Sequence, residues 1–318
     1  MSRLRRRDFL KTTVALLWAS VGGCPQIEPG EKETPKPSRW HGFKYAMCNE
    51  SMREKSWGEQ CQIVANAGYT GIEIAAFTLV KEGVQEITPA HRKEMEATMK
   101  DAGIECAGLH WLLAPPPKGL HFTTGDEPTR KKSIKYLEEL IDFCGDVGGT
   151  VMIFGSPKQR STVGTSIDEA KKYFADGLAK VADHAKSRGV KILVEPLDTG
   201  QTDVVNRMAE ALEIVKRVKH PAIELMFDFH NTGNETEAFD VLIKRFHKHI
   251  FHIHVQEMDG KHLGGGSGVN DYVKAFQVLK DLQYDKWISL EVFDFSPGGK
   301  RIAEESMKVL NQIESKLI

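Results

Sequence analysis

Residues 190–195, VKILVE, and residues 223–228, IELMFD, are two short, largely apolar stretches that each end in a carboxylate. Between them, residues 204–219, VVNRMAEALEIVKRVK, carry apolar side chains at the three- and four-residue spacing of an amphipathic helix. Two strands joined by one helix pair in parallel through a right-handed crossover. This stretch therefore predicts one strand–helix–strand unit of a parallel sheet.

The same alternation runs through the chain from residue 43 onward. Strands are predicted at 43–48, 70–75, 105–110, 150–154, 190–195, 223–228, 250–255 and 286–292. Helices are predicted at 56–67, 89–102, 129–147, 167–188, 204–219, 236–247, 270–281 and 299–316. Eight such units predict an α/β fold, a single (β/α)8 TIM barrel with parallel strands, over residues 41–318.

A doubly wound sheet is the alternative architecture for this alternation. Such sheets usually carry a glycine-rich phosphate loop after an early strand. Here the first strand leads into Cys48-Asn49-Glu50, with neither a GxGxxG nor a Walker motif. The sequence therefore favours the closed barrel.

The composition is that of a folded protein with two differently charged parts. The 318 residues include 43 Lys and Arg against 44 Asp and Glu, with 41% hydrophobic residues. These values exclude a disordered chain and a protein with several membrane spans. Residues 1–24 hold five basic residues and one acidic residue, net +4, so the remaining 294 carry −5. An acidic body argues against a nucleic-acid partner.

Residues 1–24 are predicted to be an export signal. Arg6 and Arg7 begin the stretch RRDFLK, which is typical of the twin-arginine route. The apolar residues 14–21 that follow are too few for a membrane span of about 20 residues. The protein is therefore expected to leave the cytoplasm as a periplasmic protein or as a lipoprotein anchored in the membrane.

The end of this signal carries a candidate lipidation site. Val21-Gly22-Gly23-Cys24 resembles a lipobox, in which Cys24 would be lipidated; otherwise Cys24 is an incidental residue of a cleaved signal. Residues 25–40, rich in Pro, Glu and Lys, are predicted to be a disordered tether. Contact with a membrane is thus expected only through Cys24.

The other four cysteines show no CxxC spacing. Cys48, Cys61, Cys106 and Cys144 lie in apolar, periodic segments. Buried free thiols are therefore predicted, rather than a disulfide framework or a zinc site of four cysteines.

Four successive strands of the predicted barrel end in ionisable residues, Glu195, Asp228, His254 and Glu291. One such residue alone would be interpreted as a helix cap or a salt-bridge partner. The active site of a barrel lies at the carboxyl ends of its strands, where these four side chains would converge. Three carboxylates there repel one another unless a cation joins them. The donor set suits one divalent ion, Mn²⁺ first, with Mg²⁺, Co²⁺ or Zn²⁺ as alternatives.

The stretches around these residues are LVEPL, FDFHN, HIHVQEMDG and ISLEVF. They resemble the metal site of the xylose-isomerase-like TIM-barrel superfamily of sugar and sugar-phosphate isomerases and epimerases. The D-tagatose and D-psicose 3-epimerases are the most similar members. The resemblance covers residues 41–318 and is clearest in the second half.

This resemblance implies that Glu195, Asp228, His254 and Glu291 bind one divalent ion. It also implies that Glu195 and Glu291 act as an acid/base pair. One glutamate removes the proton next to a ketose carbonyl, a cis-enediolate forms, and the other returns a proton from the opposite face. The implied partners are a small-molecule sugar and further copies of the chain, since members are often dimers or tetramers.

Three positions depart from the pattern of the epimerases. Where many relatives have a substrate-binding histidine, three residues after the metal aspartate, this chain has Asn231, and His230 precedes it. Gln201 replaces a glutamate that the epimerases carry. Gly260 replaces an expected arginine, two residues before His262. We therefore expect a different set of sugar contacts, drawn from His230, Asn231, Gln201 and His262.

Three further residues are candidate substrate contacts. Glu73 and His110 end the second and third strands, where polar substrate contacts lie in this superfamily, or else they are structural hydrogen-bonding groups. Trp111 would stack on a sugar face or fill the core or a lid. His252 shares a strand face with His254 and is predicted to be a hydrogen-bonded core histidine one layer lower.

Two loops and three charges surround the predicted site. Residues 111–128 are too long for a turn and are predicted to form a lid or a binding loop. The glycine-rich residues 264–268 would let backbone approach a substrate, or are simply flexible. Lys118, Lys158 and Arg160 are predicted to be exposed, although an anionic substrate would suit them.

Three other functions remain open from the sequence. A lyase or dehydratase would begin with the same proton abstraction and then eliminate a β-substituent, for example from a 3-keto-glycoside. A phosphodiester hydrolase of the endonuclease IV type would need three zinc ions and a basic rim, which the charge of −5 argues against. A sugar-binding lipoprotein without catalysis would not need both Glu195 and Glu291.

Overall fold

Eight parallel strands close into a single barrel. The computed structural model describes residues 40–266, 268 and 272–318. Within them each strand pairs in parallel with the next, and the eighth pairs with the first. The predicted α/β fold, a single (β/α)8 TIM barrel, is confirmed, and the doubly wound sheet is excluded. The export signal, Cys24 and residues 25–39 of the predicted tether lie outside the described residues.

Strands and helices alternate along the described chain. The strands are β1 (Lys44–Cys48), β2 (Gly71–Ala75), β3 (Glu105–His110), β4 (Val151–Phe154), β5 (Lys191–Val194), β6 (Ile223–Asp228), β7 (Ile250–Val255) and β8 (Trp287–Leu290). The helices are α1 (Trp57–Ala67), α2 (Pro89–Asp101), α3 (Glu127–Asp146), α4 (Ile167–Ser187), α5 (Met208–Val218), α6 (Phe239–Phe246), α7 (Tyr272–Asp281) and α8 (Gly299–Glu314).

The largest difference from the predicted helix bounds is at α5, which begins four residues later than expected. Val204 and Val205 are buried in the hydrophobic core but are not helical, and Val205 has a positive φ of 63°. The Leu197 N–H donates to the carbonyl of Val205, and Asn206 Nδ2 donates to the Leu197 carbonyl. The apolar pair therefore satisfied the helical spacing while serving as a core anchor for the β5–α5 loop.

The strands separate two apolar regions. Outward-facing side chains such as Phe154 and Phe227 pack with the helices in the main core. Inside the barrel, Val151, Ile153, Leu193 and Met226 form a separate cluster. Because side chains alternate along a strand, β4, β5 and β6 each contribute to both regions. The inner cluster lies below the carboxyl ends of the strands and supports the polar layers above it.

Three loops are joined by hydrogen bonds at the carboxyl end of the barrel. The Phe122 N–H donates to the Gln159 carbonyl over 2.6 Å, and the Gly125 N–H donates to the Val163 carbonyl over 3.2 Å. The Thr162 N–H donates to Asp203 Oδ1 over 2.9 Å. These contacts tie the long β3–α3 loop to the β4–α4 loop, and that loop to the β5–α5 loop. The three loops together form one wall beside the barrel mouth.

The loop wall explains a wrong prediction for Arg160. Lys118 and Lys158 are exposed as predicted, but Arg160 is fully buried. Its Nη1 donates to the Phe154 carbonyl over 3.0 Å, and its guanidinium lies 5.6 Å from the Phe174 ring centre. Burial lowers the pKa of Arg160 to about 10.

The four cysteines of the described residues agree with the sequence prediction. Cys48, Cys61, Cys106 and Cys144 are buried and free. Across the described part of the chain, no helix has both the length and the apolar character needed to span a membrane.

Candidate metal centre and active site

Four side chains from the last four strands meet at the carboxyl end of the barrel. Glu195 and Glu291 directly follow β5 and β8, Asp228 ends β6, and His254 is the fifth residue of β7. One ligand atom of each lies within 4.8 Å of the ligand atoms of the others, and all four residues are buried. The closed parallel topology causes this meeting, because the four carboxyl ends share one rim.

The two ring nitrogens of His254 face different carboxylates. Nδ1 lies 3.1 Å from Glu291 Oε2 and 3.9 Å from Glu195 Oε1. It is buried without a hydrogen-bond partner. Nε2 lies 3.0 Å from Glu73 Oε1. A buried ring nitrogen that lacks a partner and faces two carboxylates is the arrangement that a metal ligand requires.

The pKa shifts of the three carboxylates also indicate a metal site. Burial, and next the charge of Glu291, raise the pKa of Glu195 to about 7. Burial and the charge of Glu195 raise the pKa of Asp228 well above its ordinary value. Burial alone would also raise the pKa of Glu291, but His254 brings it below its ordinary value. Packing three carboxylates this closely is costly, and one divalent cation offsets that cost. The four residues therefore fit such an ion.

An amide pair extends this group toward the β5–α5 loop. Asn231 Nδ2 donates to Asp228 Oδ2 over 2.6 Å and to Glu195 Oε1 over 3.2 Å. Gln201 Nε2 donates to Asn231 Oδ1 over 2.5 Å. His230 instead packs its ring against Phe293, with 5.1 Å between ring centres. Asn231 and Gln201 line the pocket above the carboxylates, and His230 is not among its lining residues.

This pocket is narrow, with a cavity volume of about 10 Å³. It is lined by His110, Trp111, Gly155, Ser156, Pro157, Glu195, Leu197, Gln201, Asn231, Glu291 and Phe293. Trp111 and Phe293 meet edge to face with 6.3 Å between ring centres. Among the described residues, no Lys or Arg lines this pocket. It is a small site with apolar walls and a carboxylate floor.

Glu73 and His110 lie at the bottom of this site rather than on its open side. Glu73 is completely buried, and Oε2 lies 2.7 Å from His252 Nε2. His110 lines the pocket, but its Nε2 lies 2.7 Å from Glu50 Oε1 and its Nδ1 lies 3.4 Å from Glu73 Oε1. His252 is fully buried, as predicted for a core histidine, and its Nε2 is paired with the Glu73 carboxylate. Each nitrogen of His110 therefore lies beside a carboxylate.

The β7–α7 loop does not provide the substrate contact that the sequence predicted for it. His262 lies outside the pocket, with Nε2 2.8 Å from Glu305 Oε2 of α8. Gly260 has a φ of 80°, and its carbonyl accepts a hydrogen bond from the Phe293 N–H over 2.8 Å. Buried Glu257 accepts from the N–H groups of Gly264 and Gly268, each over 2.8 Å. The structure therefore does not bring His262 to the site, and Glu257 holds the glycine-rich stretch.

Several residues of the site were missed in the sequence, among them Glu50, Gly155 and Phe293. Glu50 follows the apolar strand β1, so its position at a strand end was a usable signal. Gly155 follows β4, and a Cβ atom there would overlap Glu195 Oε2. Phe293 lies two residues beyond Glu291 and carries no signal that distinguishes it from a core aromatic.

Comparisons with known proteins agree with the fold. A probable ketose 3-epimerase of Synechocystis is 27% identical, over 77% of this chain and 86% of its own length. The 3-dehydro-D-guloside 4-epimerase of Escherichia coli is 22% identical, over 78% of this chain and 92% of its own length. A crystal structure of D-psicose 3-epimerase, determined in the presence of D-fructose, superposes with a TM-score of 0.74 at 18% identity. It covers 86% of this chain and 99% of that one, and shows likeness of fold.

A family model covers most of the barrel. The model of the Xylose isomerase-like TIM barrel matches residues 61–313, which include all four residues of the candidate metal centre. The match runs from α1 into α8. The chain therefore belongs to the Xylose isomerase-like TIM barrel family.

Proposed function

We propose that this protein is a divalent-metal-dependent sugar epimerase or isomerase that moves a proton next to a ketose carbonyl. The observation that carries the proposal is the position of Glu195 and Glu291. They follow strands three places apart in the barrel, line one pocket and belong to the same four-residue group. The relatives named as ketose 3-epimerase and 3-dehydro-D-guloside 4-epimerase support the reaction class.

The two glutamates divide the proton transfer between them. One of the two glutamates removes the proton from the carbon next to the carbonyl, and the other returns a proton from the opposite side. The reverse reaction exchanges these roles, and the intermediate is an enediolate. A divalent ion held by Glu195, Asp228, His254 and Glu291, Mn²⁺ being the first candidate, would polarise the carbonyl. Trp111, Leu197 and Phe293 exclude water from the pocket walls.

The pocket favours an uncharged sugar. Binding of a phosphate normally uses Arg, Lys or a helix N-terminus. No Lys or Arg lines the pocket among the described residues, whereas the carboxylates of Glu195 and Glu291 do, with Asp228 in the same buried group. A sugar phosphate would therefore meet like charge, whereas a neutral ketose meets hydrogen-bonding groups and aromatic faces.

A 3-keto-glycoside is a second candidate substrate, and the rim favours it. Phe293 lines the pocket and remains 39% exposed, so it offers an apolar face to solvent beside the pocket. Met258 in the β7–α7 loop and Phe295 in the β8–α8 loop are also exposed. An aglycone would contact this apolar rim. The same abstraction would then end either in epimerisation or in elimination of the aglycone.

Deuterium exchange tests the proposal. Protein loaded with Mn²⁺, Mg²⁺, Co²⁺ or Zn²⁺ is incubated in D₂O with neutral ketoses, their phosphates and 3-keto-glycosides. Deuterium should appear next to the carbonyl of a neutral substrate and should be lost in Glu195→Gln and Glu291→Gln. Glu224→Gln is the matched control, since Glu224 is a partly buried strand glutamate that pairs with His249 at the other end of the barrel. The proposal fails if no metal supports exchange with any neutral substrate.

We also propose that the protein is exported through residues 1–24 and anchored through Cys24. The twin arginines Arg6 and Arg7 and the lipobox-like residues 21–24 support this location. Arg6→Lys with Arg7→Lys should keep the full chain in the cytoplasm. Cys24→Ala should release it from the membrane fraction without preventing export. Membrane attachment of Cys24→Ala would contradict the anchor.

A further inference from the structure

Glu73 is the carboxylate that connects the most buried histidines of the barrel. It is the third residue of β2, its exposure is 0%, and its side chain crosses the barrel interior to β7. Oε2 lies 2.7 Å from His252 Nε2, and Oε1 lies 3.0 Å from His254 Nε2. Oε1 is also 3.4 Å from His110 Nδ1. A fully buried carboxylate held by three imidazoles has no path to a sugar in the pocket.

The hydrogen bond between Glu73 and His254 Nε2 determines which nitrogen of His254 faces the carboxylates of Glu195 and Glu291. A neutral imidazole carries its proton on only one nitrogen. In the neutral tautomer with Nε2–H donating to Glu73, the lone pair of Nδ1 would face Glu291 and Glu195. Nδ1 itself is buried and has no hydrogen-bond partner. Without an acceptor below Nε2, both the rotation of the ring and its tautomer would be free to change.

We propose that Glu73 is a positioning residue that fixes the orientation and tautomer of His254 so that Nδ1 faces the metal ion. This inference rests on the proposed function, because it presupposes a metal at the four-residue group. The sequence left Glu73 open as a substrate contact or a structural hydrogen-bonding group; the geometry assigns it the layer beneath the ligands. Hydrogen-bonded partners of this kind change metal affinity by about 10- to 100-fold when they are removed.

Metal affinity of the full chain, measured without substrate, tests the proposal. Titration calorimetry with Mn²⁺ should show a dissociation constant raised by about 10- to 100-fold in Glu73→Leu, which keeps the volume and removes the acceptor. Glu224→Leu is the matched control, since it removes a glutamate bonded to His249 Nδ1 over 2.9 Å, far from the ligands. It should bind Mn²⁺ like the wild type. Affinity of Glu73→Leu within about threefold of the wild type overturns the inference.

A second measurement needs no variant and therefore does not depend on the folding of Glu73→Leu. In ¹⁵N spectra of the Zn²⁺-loaded wild type, one buried histidine should carry its proton on Nε2 and bind zinc through Nδ1. A zinc-bound Nε2 would overturn the proposal. If the wild type binds neither Mn²⁺ nor Zn²⁺, the proposed function fails; if it binds them and Glu73→Leu binds equally well, only the role of Glu73 fails.

Discussion

The indole Nε1 of Trp111 donates a hydrogen bond to Glu291 Oε1 over 2.7 Å. Trp111 directly follows β3 and has a φ of 51°, which is rare for a bulky residue. Its ring also lies beside Phe77 and Phe293, each with 6.3 Å between ring centres. Strained backbone at a pocket persists only where the surroundings hold it. Trp111 therefore both lines the pocket and orients a proposed acid/base group.

Trp111→Phe should lower kcat more than it raises KM. The variant keeps an aromatic wall but loses a hydrogen bond to a charged group, a contribution of about 1.5–3 kcal/mol, or roughly 10- to 100-fold in rate. Steady-state kinetics on the substrate found by exchange would measure this effect. Phe77→Leu is the control, because Phe77 packs on Trp111 without contacting Glu291. An unchanged kcat in Trp111→Phe would show that the hydrogen bond has no part in the reaction.

Gly155→Ala should weaken both metal binding and activity. An added Cβ would overlap Glu195 Oε2, so the carboxylate would have to leave its place beside Asp228 and His254. Small displacements of reacting groups cost on the order of 100-fold in rate. Gly58→Ala is the control, since its Cβ would meet nothing closer than 3.9 Å. Calorimetry with Mn²⁺ and exchange rates would report both effects, and wild-type values in Gly155→Ala would contradict them.

Removal of the metal should lower the melting temperature. The bound ion offsets repulsion among Glu195, Asp228 and Glu291, so binding stabilises the folded state. At a free Mn²⁺ concentration 100 times the dissociation constant, the gain is about 2.7 kcal/mol. Scanning calorimetry with EDTA and then with excess Mn²⁺ would measure the shift. Asp228→Ala should show a much smaller response, and equal melting temperatures with and without Mn²⁺ in the wild type would contradict the prediction.

Ser166→Ala should destabilise the protein through helix α4. Ser166 Oγ accepts from the Glu169 N–H, and the Ser166 N–H donates to Glu169 Oε2 over 2.9 Å, which together form a capping box. Loss of such a cap costs about 1 kcal/mol in urea unfolding. The exposed control Ser315→Ala should cost less than about 0.5 kcal/mol. An equal loss in both variants would show that the cap contributes nothing.

The same cap makes this difference depend on pH. Hydrogen bonds from Ser166 hold the pKa of Glu169 below its ordinary value. The stabilisation from a lowered carboxyl pKa is complete above the ordinary pKa of glutamate and is lost as pH falls through the lowered value. The stability difference between wild type and Ser166→Ala should therefore be smaller near pH 3 than at pH 7. Urea unfolding at the two pH values would measure it.

The strands and the composition of the metal group were predictable because both depend on local pattern. Each residue of the group follows an apolar run. The closed barrel brings the carboxyl ends of the strands together independently of the loop conformations. The start of α5 was not predictable, because Val204 and Val205 satisfy a helical spacing while packing as core anchors. Arg160 was missed for a similar reason: a charge is exposed by default, and only the joined loops bury it.

Local sequence also cannot distinguish His230 from Asn231, since both lie within three residues of Asp228. A short turn after β6 places Asn231 beside Asp228 and Glu195 and turns His230 toward Phe293. Gln201 reaches the same group from another loop. Which residues contact a substrate is therefore decided by loop geometry, which depends on neighbours distant in the chain.

The sequence by itself determined the eight-unit barrel and the four ionisable strand ends, since strand–helix alternation and apolar patterning depend on neighbours in the chain. Only the tertiary structure decided how these groups are oriented. Glu73 and His254 are far apart in sequence, and only closure of the barrel brings Glu73 Oε1 within 3.0 Å of His254 Nε2. A hydrogen bond depends on distance and direction in three dimensions, so no spacing in the sequence predicts which nitrogen of His254 faces the carboxylates.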